Sequence, residues 1–161
     1  MPAATHPDRP ILTAPLLIFG WGNPSRGDDA LGPLFIERIE SLGLAGVECV
    51  TDFQLQVENA LDIQDRQCVL FVDASISAAA PFSTRLLAPI HDESFSTHAI
   101  TPEAVMQVYV DLYGEIPPPC HLLAIRGESF ELGADLSLAA ANHLEAALSW
   151  TFDWLKQQVG P

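Results

Sequence analysis

Two short runs along the chain are apolar at every position: Leu16-Leu17-Ile18-Phe19, ending at Gly20, and Cys68-Val69-Leu70-Phe71-Val72, ending at Asp73. A strand covered on both faces has no polar side to show, so both read as central strands of a buried sheet. Between them the pattern changes to a 3.6-residue period. Leu31, Leu34, Phe35, Ile39 and Leu42 share one face, while Glu37, Arg38, Glu40 and Ser41 turn outward. Pro33 suits the first turn of that helix and Gly43 its exit. A short strand at 47–51 and a short helix at 56–63 follow, so the chain opens β, α, β, α, β.

Downstream, 83–90 reads as a further strand after the small-residue loop at 78–81. Thr101 caps a helix with Pro102 at its first position and Glu103 near its positive end; Val105, Val108, Tyr109 and Leu112 line one face until Gly114. Pro117-Pro118-Pro119 is a stiff connector into a strand at 120–125. A last helix, from 137 to about 157, repeats Leu138, Ala141, Leu144, Leu148, Phe152 and Leu155. Strands alternating with helices predict one α/β domain over residues 1–161. It has three layers, a mostly parallel twisted sheet of about five strands, helices on both faces, and a loose segment at 1–14.

Composition removes several partners. Seven Lys and Arg against twenty-one Asp and Glu leave a net charge of −14, which repels phosphate backbones and anionic lipid heads; nucleic acid and membrane surfaces are excluded. At 48% hydrophobic residues and a mean hydropathy of +0.21 the chain is too apolar for disorder. The first ten residues hold three prolines, Asp8 and Arg9 but no apolar run of a signal peptide, and no run of about 18 apolar residues occurs. A cytoplasmic protein is the expectation. Cys49, Cys68 and Cys120 form no C-x-x-C pair and read as reduced, buried thiols. A nucleophilic Cys120 beside His121 is disfavoured, because neighbours on a strand point to opposite faces.

The stretch that carries chemistry is Gly20-Trp21-Gly22-Asn23-Pro24-Ser25-Arg26-Gly27-Asp28-Asp29-Ala30-Leu31-Gly32, between the first strand and the first helix. In an open α/β sheet, ligands bind at this edge. A dinucleotide loop would need a third glycine where Ser25 stands, and Asp28 and Asp29 would repel a pyrophosphate. Paired carboxylates suit a metal ion instead. Asp73, at the end of a strand, and His98, in the loop before a helix, fall on the same edge; with Asp29 they form an O, O, N donor set with open positions, suited to nickel, zinc or manganese. Taken singly, Asp29 also suits a helix cap, Asp73 an acceptor for loop amides and His98 a plain surface position.

The pattern Gly20-x-Gly22-Asn23-x-x-x-x-Asp28-Asp29-x-x-Gly32 resembles that of the NiFe-hydrogenase maturation endopeptidases. So do Val72-Asp73-Ala74, Thr97-His98 and Gly127-Glu128-Ser129-x-x-x-Leu132-Gly133 before a long final helix. The resemblance spans about 16–155. It implies a cytoplasmic, aspartyl-type endopeptidase that removes the C-terminal extension of a hydrogenase large-subunit precursor. The nickel would come with the precursor, no cofactor would be permanently bound, and a monomer is the expectation. The family's metal-contacting positions map onto Asp29, Asp73 and His98. The stretches 23–33 and 52–58 look most like the members that mature soluble NAD-reducing hydrogenases.

The resulting expectation is that substrate nickel serves as the recognition element, with Asp29 as general base and Asp28 as the alternative base. Two competing readings use the same residues: a chaperone-like nickel-binding module without peptidase activity, and a metal-dependent hydrolase of small molecules. The absence of H-E-x-x-H excludes an ordinary zincin.

Overall fold

The computed structural model describes residues 13–91 and 100–159. Five strands, β1 (Leu16–Trp21), β2 (Val47–Asp52), β3 (Cys68–Ser75), β4 (Phe82–Leu86) and β5 (Cys120–Arg126), form one sheet in the order β2-β1-β3-β5-β4. The first three and β5 run parallel; β4 lies antiparallel against β5 at the edge. Three α-helices, α1 (Leu31–Glu40), α2 (Pro102–Tyr113) and α3 (Leu138–Val159), and two 3-10 segments, Gly27–Ala30 and Val57–Ile63, complete the elements.

Strand periodicity divides the core into two. Leu16, Ile18, Leu70, Val72, Leu123 and Ile125 pack with Phe35 and Ile39 of α1 and with Leu144 and Leu148 of α3. Their neighbours Leu17, Phe19, Trp21, Val69 and Phe71 face the other way, onto Val105, Met106 and Tyr109 of α2 and Ala60 and Ile63 of the second 3-10 segment. This explains the uninterrupted apolar runs: β1 and β3 are central and have a core on each side. Each fully buried side chain of this size contributes about 1.5–3 kcal/mol. The Thr101 hydroxyl accepts from the Ala104 amide to start α2, and Gly114, at φ 63°, ends it.

Three differences from the sequence pattern have local causes. The fourth strand stops at Leu86 rather than 90: Leu86 pairs with His121 near the start of β5, the Leu87 amide makes one more bond to Cys120, and Pro89 has no N–H to continue the ladder. The short helix near 56–63 is 3-10, closed by a Gln56–Asn59 capping box. The first and third strands run past the residues that seemed to end them, since β3 stays paired with β5 as far as Ser75 and Arg126. Asp73 therefore lies inside a strand, opposite Ala124. No helix among the described residues is long and apolar enough to cross a membrane.

Candidate active site

The chain leaves β1 for α1 and β2 on one side, then crosses to β3 on the other, so the carboxyl ends of β1 and β3 flank the switch point of the sheet. Open α/β sheets leave a crevice there because successive connections diverge to opposite faces. Asp29 reaches it from the loop after β1, and Asp73 from β3.

Asp29 sits in the 3-10 turn rather than at the N-cap of α1; that cap position is Ala30, without a side-chain hydrogen bond. One Asp29 oxygen, Oδ2, accepts from the Asn23 amide at 2.7 Å, which folds the loop back over itself. Gly22 makes this possible. It holds φ at +150°, and a Cβ there would run into the Asp29 backbone carbonyl.

Asp73 follows Val69 and Phe71 on the α2 side of the sheet. Beneath it, Phe19, Trp21 and Phe71 form an aromatic floor with ring centroids 6.1–6.4 Å apart. Burial over this floor, and then the negative charge of Asp29, push the Asp73 carboxyl up to about 7, against a smaller opposing pull from the Ala74 amide. The two carboxylates are thus electrostatic neighbours, brought together from 44 positions apart in sequence by the pairing of β1 with β3.

Asp28 stands differently. It is 0% exposed, and its carboxylate accepts four hydrogen bonds: from the amides of Glu128 (2.7 Å), Ser129 (3.1 Å) and Ser137 (2.7 Å) and from the Ser137 hydroxyl (2.8 Å). Burial pushes its pKa up, but the bonds from Ser137, Glu128 and Ser129 together outweigh this and hold it below the ordinary value. A carboxylate offers about four acceptor sites. Three of the four bonds fall on Oδ2 and one on Oδ1, and through them the buried Asp28 ties its loop to 127–137.

His98 lies outside the described residues, as do Ser96 and Thr97. Among the described residues no group of three or more His, Cys, Asp or Glu side chains is gathered to hold a metal ion. A cavity of about 270 Å³ opens beside the Asp29 loop, lined by Gly22, Pro24, Pro33, Thr51, Asp52 and Phe53, with Phe53 68% exposed. Cys68 and Cys120 are buried free thiols, and burial pushes the first up to about 11 and the second up to about 12. His121, beside Cys120, packs edge-on against Trp154 at 5.6 Å.

Ser137 and the backbone of 127–129 are working parts of this edge that spacing along the chain does not assign. The late Gly127-Glu128-Ser129 pattern was the available signal, but nothing in it named Asp28 as its partner 100 residues away.

No protein-family profile matches the chain, and no curated protein sequence matches it. Its fold is that of several solved structures. The hydrogenase maturating endopeptidase HybD from E. coli is 23% identical, with a TM-score of 0.69 over 89% of this chain and 93% of that one. The NiFe hydrogenase maturation protease HycI from Thermococcus kodakarensis KOD1 is 23% identical, with a TM-score of 0.64 over 91% and 95%. The hydrogenase 2 maturation peptidase from Thaumarchaeota archaeon SCGC_AB-539-E09 is 20% identical, with a TM-score of 0.62 over 87% and 97%.

Proposed function

We propose that this protein is an endopeptidase that trims the C-terminal extension from a nickel-loaded NiFe-hydrogenase large-subunit precursor. The observation that carries the reading is the Asp29–Asp73 pair at the switch point, two carboxylates close enough for the charge on Asp29 to add to burial in raising Asp73 to about 7. The shared fold with solved maturation proteases supports it over the full domain. So does the resemblance of the glycine loop.

In this reading nickel is part of the substrate. Asp29 and Asp73 complete its ligand shell, with His98 entering as the third protein ligand from the resemblance. A cation favours the ionised form of Asp73 and offsets the repulsion between the two acids, so a finished precursor relieves a strain that an unfinished one leaves in place. Docking on the metal also fixes the nearby peptide, which converts a diffusional encounter into an oriented one.

Peptide hydrolysis then needs water to add to the scissile carbonyl, the C–N bond to break, and a proton to pass to the departing amine. Asp29 is the base we assign to the water: Oδ2 is anchored by Asn23, and Oδ1 has no hydrogen-bond partner among the described residues. Phe19, Trp21 and Phe71 keep the floor of the crevice dry and strengthen each charge interaction above it. The reading carries with it a monomer acting in the cytoplasm. The 52–58 stretch points to a soluble NAD-reducing hydrogenase as the source of the precursor.

The experiment is to incubate nickel-loaded and nickel-free large-subunit precursor with the protein and weigh the products. Loss of a C-terminal peptide only from the nickel-loaded form is the expected result. An intact nickel-loaded precursor would sink the protease assignment. Normal processing by Asp73→Ala or His98→Ala would sink the metal-recognition role. Tight nickel retention by the isolated protein in equilibrium dialysis, without cleavage, would favour the carrier reading instead.

A further inference from the structure

The 3-10 turn that bears Asp29 is held only in part by local bonds, from the Asp29 amide to Arg26 at 3.1 Å and from the Asn23 amide to the Asp29 carboxylate at 2.7 Å. Its N-cap, Arg26, makes no side-chain hydrogen bond, and Gly27 takes the left-handed conformation at φ 55°. The first amides of a helical turn need acceptors from outside it. Here the acceptors come from the distant segment 127–137: the Gly27 amide donates to Ala134 at 3.2 Å, and the Asp28 amide to Ser129 at 2.7 Å. The return contacts are more numerous, with the Gly133 amide donating to Ser25 at 2.7 Å and the Asp28 carboxylate receiving its four bonds.

Ser137 closes the arrangement. Its hydroxyl accepts from the Ala140 amide at 3.1 Å, which makes it the cap of α3, and donates to Asp28. The Asp28 charge thus lies at the positive end of a 22-residue helix. One buried carboxylate joins the glycine loop, the 127–129 backbone and α3, and Asp29 is the next residue.

We infer that Asp28 is a positioning residue: through Ser137 and the 127–129 backbone it sets the orientation in which Asp29 faces Asp73, and so controls turnover rather than substrate capture. The inference rests on the cleavage reading for its kinetic consequence but not for its structural one. All four groups facing Asp28 are donors, so an amide in its place turns an NH₂ toward donors and leaves the turn free to shift. A displacement of about 1 Å in a reacting group costs on the order of 100-fold in rate.

The test uses the full-length protein with Asp28→Asn and, as the milder variant, Ser137→Ala, each checked by circular dichroism and thermal melting to be folded at the assay temperature. Two readouts are taken: kcat and KM on nickel-loaded precursor, and the ¹⁵N amide resonance and hydrogen exchange of Asn23, whose N–H bonds Asp29. The expected result is a kcat lowered about 100-fold for Asp28→Asn and about 5-fold for Ser137→Ala, with KM unchanged within about twofold. The Asn23 resonance should move in both variants and its amide exchange faster. A role confined to stability would lower the melting temperature and leave kcat and Asn23 as they are; that outcome in a folded variant overturns the inference. Should Asp28→Asn fail to fold, Ser137→Ala decides. If the wild-type protein leaves the precursor uncut, the cleavage reading fails, and the Asn23 resonance still decides this one.

Discussion

Asp73→Asn is expected to stabilise the metal-free protein at pH 8 while leaving its stability at pH 4 nearly unchanged. Burial over Phe19, Trp21 and Phe71, together with the charge on Asp29, raises the Asp73 carboxyl from an ordinary 3.8 to about 7. The folded form then holds this proton more tightly than the unfolded chain does. Its contribution to stability is fully present below the unfolded value and is lost as pH rises through about 7. A gap of about 3 pH units, at about 1.4 kcal/mol each, sets a ceiling of about 4 kcal/mol. Partial exposure and solvent screening lower this to about 2 kcal/mol.

Asparagine keeps the shape and carries no charge at either pH, so the cost disappears from the folded state. For a chain of this length about 2 kcal/mol corresponds to roughly 4–8 °C in Tm. The assay is thermal unfolding of both proteins at pH 4, 6 and 8 in EDTA; the background charge of −14 is nearly common to both and largely cancels in the difference. The same variant should fail to process precursor, the usual trade of stability against a strained site. A variant less stable than wild type at pH 8, or a difference that stays constant from pH 4 to pH 8, refutes the account of the site as a buried, mutually repelling pair.

Three further expectations follow from the same geometry. Asp29→Asn should move the Asp73 titration midpoint down, toward an ordinary carboxylate, as followed by ¹³C carboxyl NMR; no movement would mean the two acids are not neighbours. Gly22→Ala should cost about 1–3 kcal/mol in stability and at least about 10-fold in kcat, because the new Cβ meets the Asp29 backbone carbonyl; a wild-type Tm and rate would contradict the packing described. Cys120→Ala should cleave normally, and iodoacetamide at pH 8 should leave native Cys68 and Cys120 unmodified until urea is added, since burial keeps both thiols protonated; rapid native labelling of Cys120 would count against its burial.

Much of the fold was legible from the chain because both periodicities are strong. Unbroken apolar runs marked β1 and β3 as central, and the 3.6-residue pattern marked α1, α2 and α3. Strand ends were less legible, since pairing with a distant partner decides them: β3 continues to Ser75 only because β5 is there to receive it, and β4 stops where Pro89 cannot donate. The sequence also drew attention to Asp29 and Asp73, through the rule that βα loops of an open sheet carry its chemistry.

What a single chain could not reveal was how differently two adjacent aspartates are surrounded. Asp28 and Asp29 are chemically identical and share one turn. Only the tertiary structure separates them, by surrounding one with four donors from 127–137 and leaving the other within electrostatic reach of Asp73. The reason is physical: local sequence sets backbone propensity and periodicity, while the environment of a carboxylate is set by groups that folding brings in from a hundred residues away.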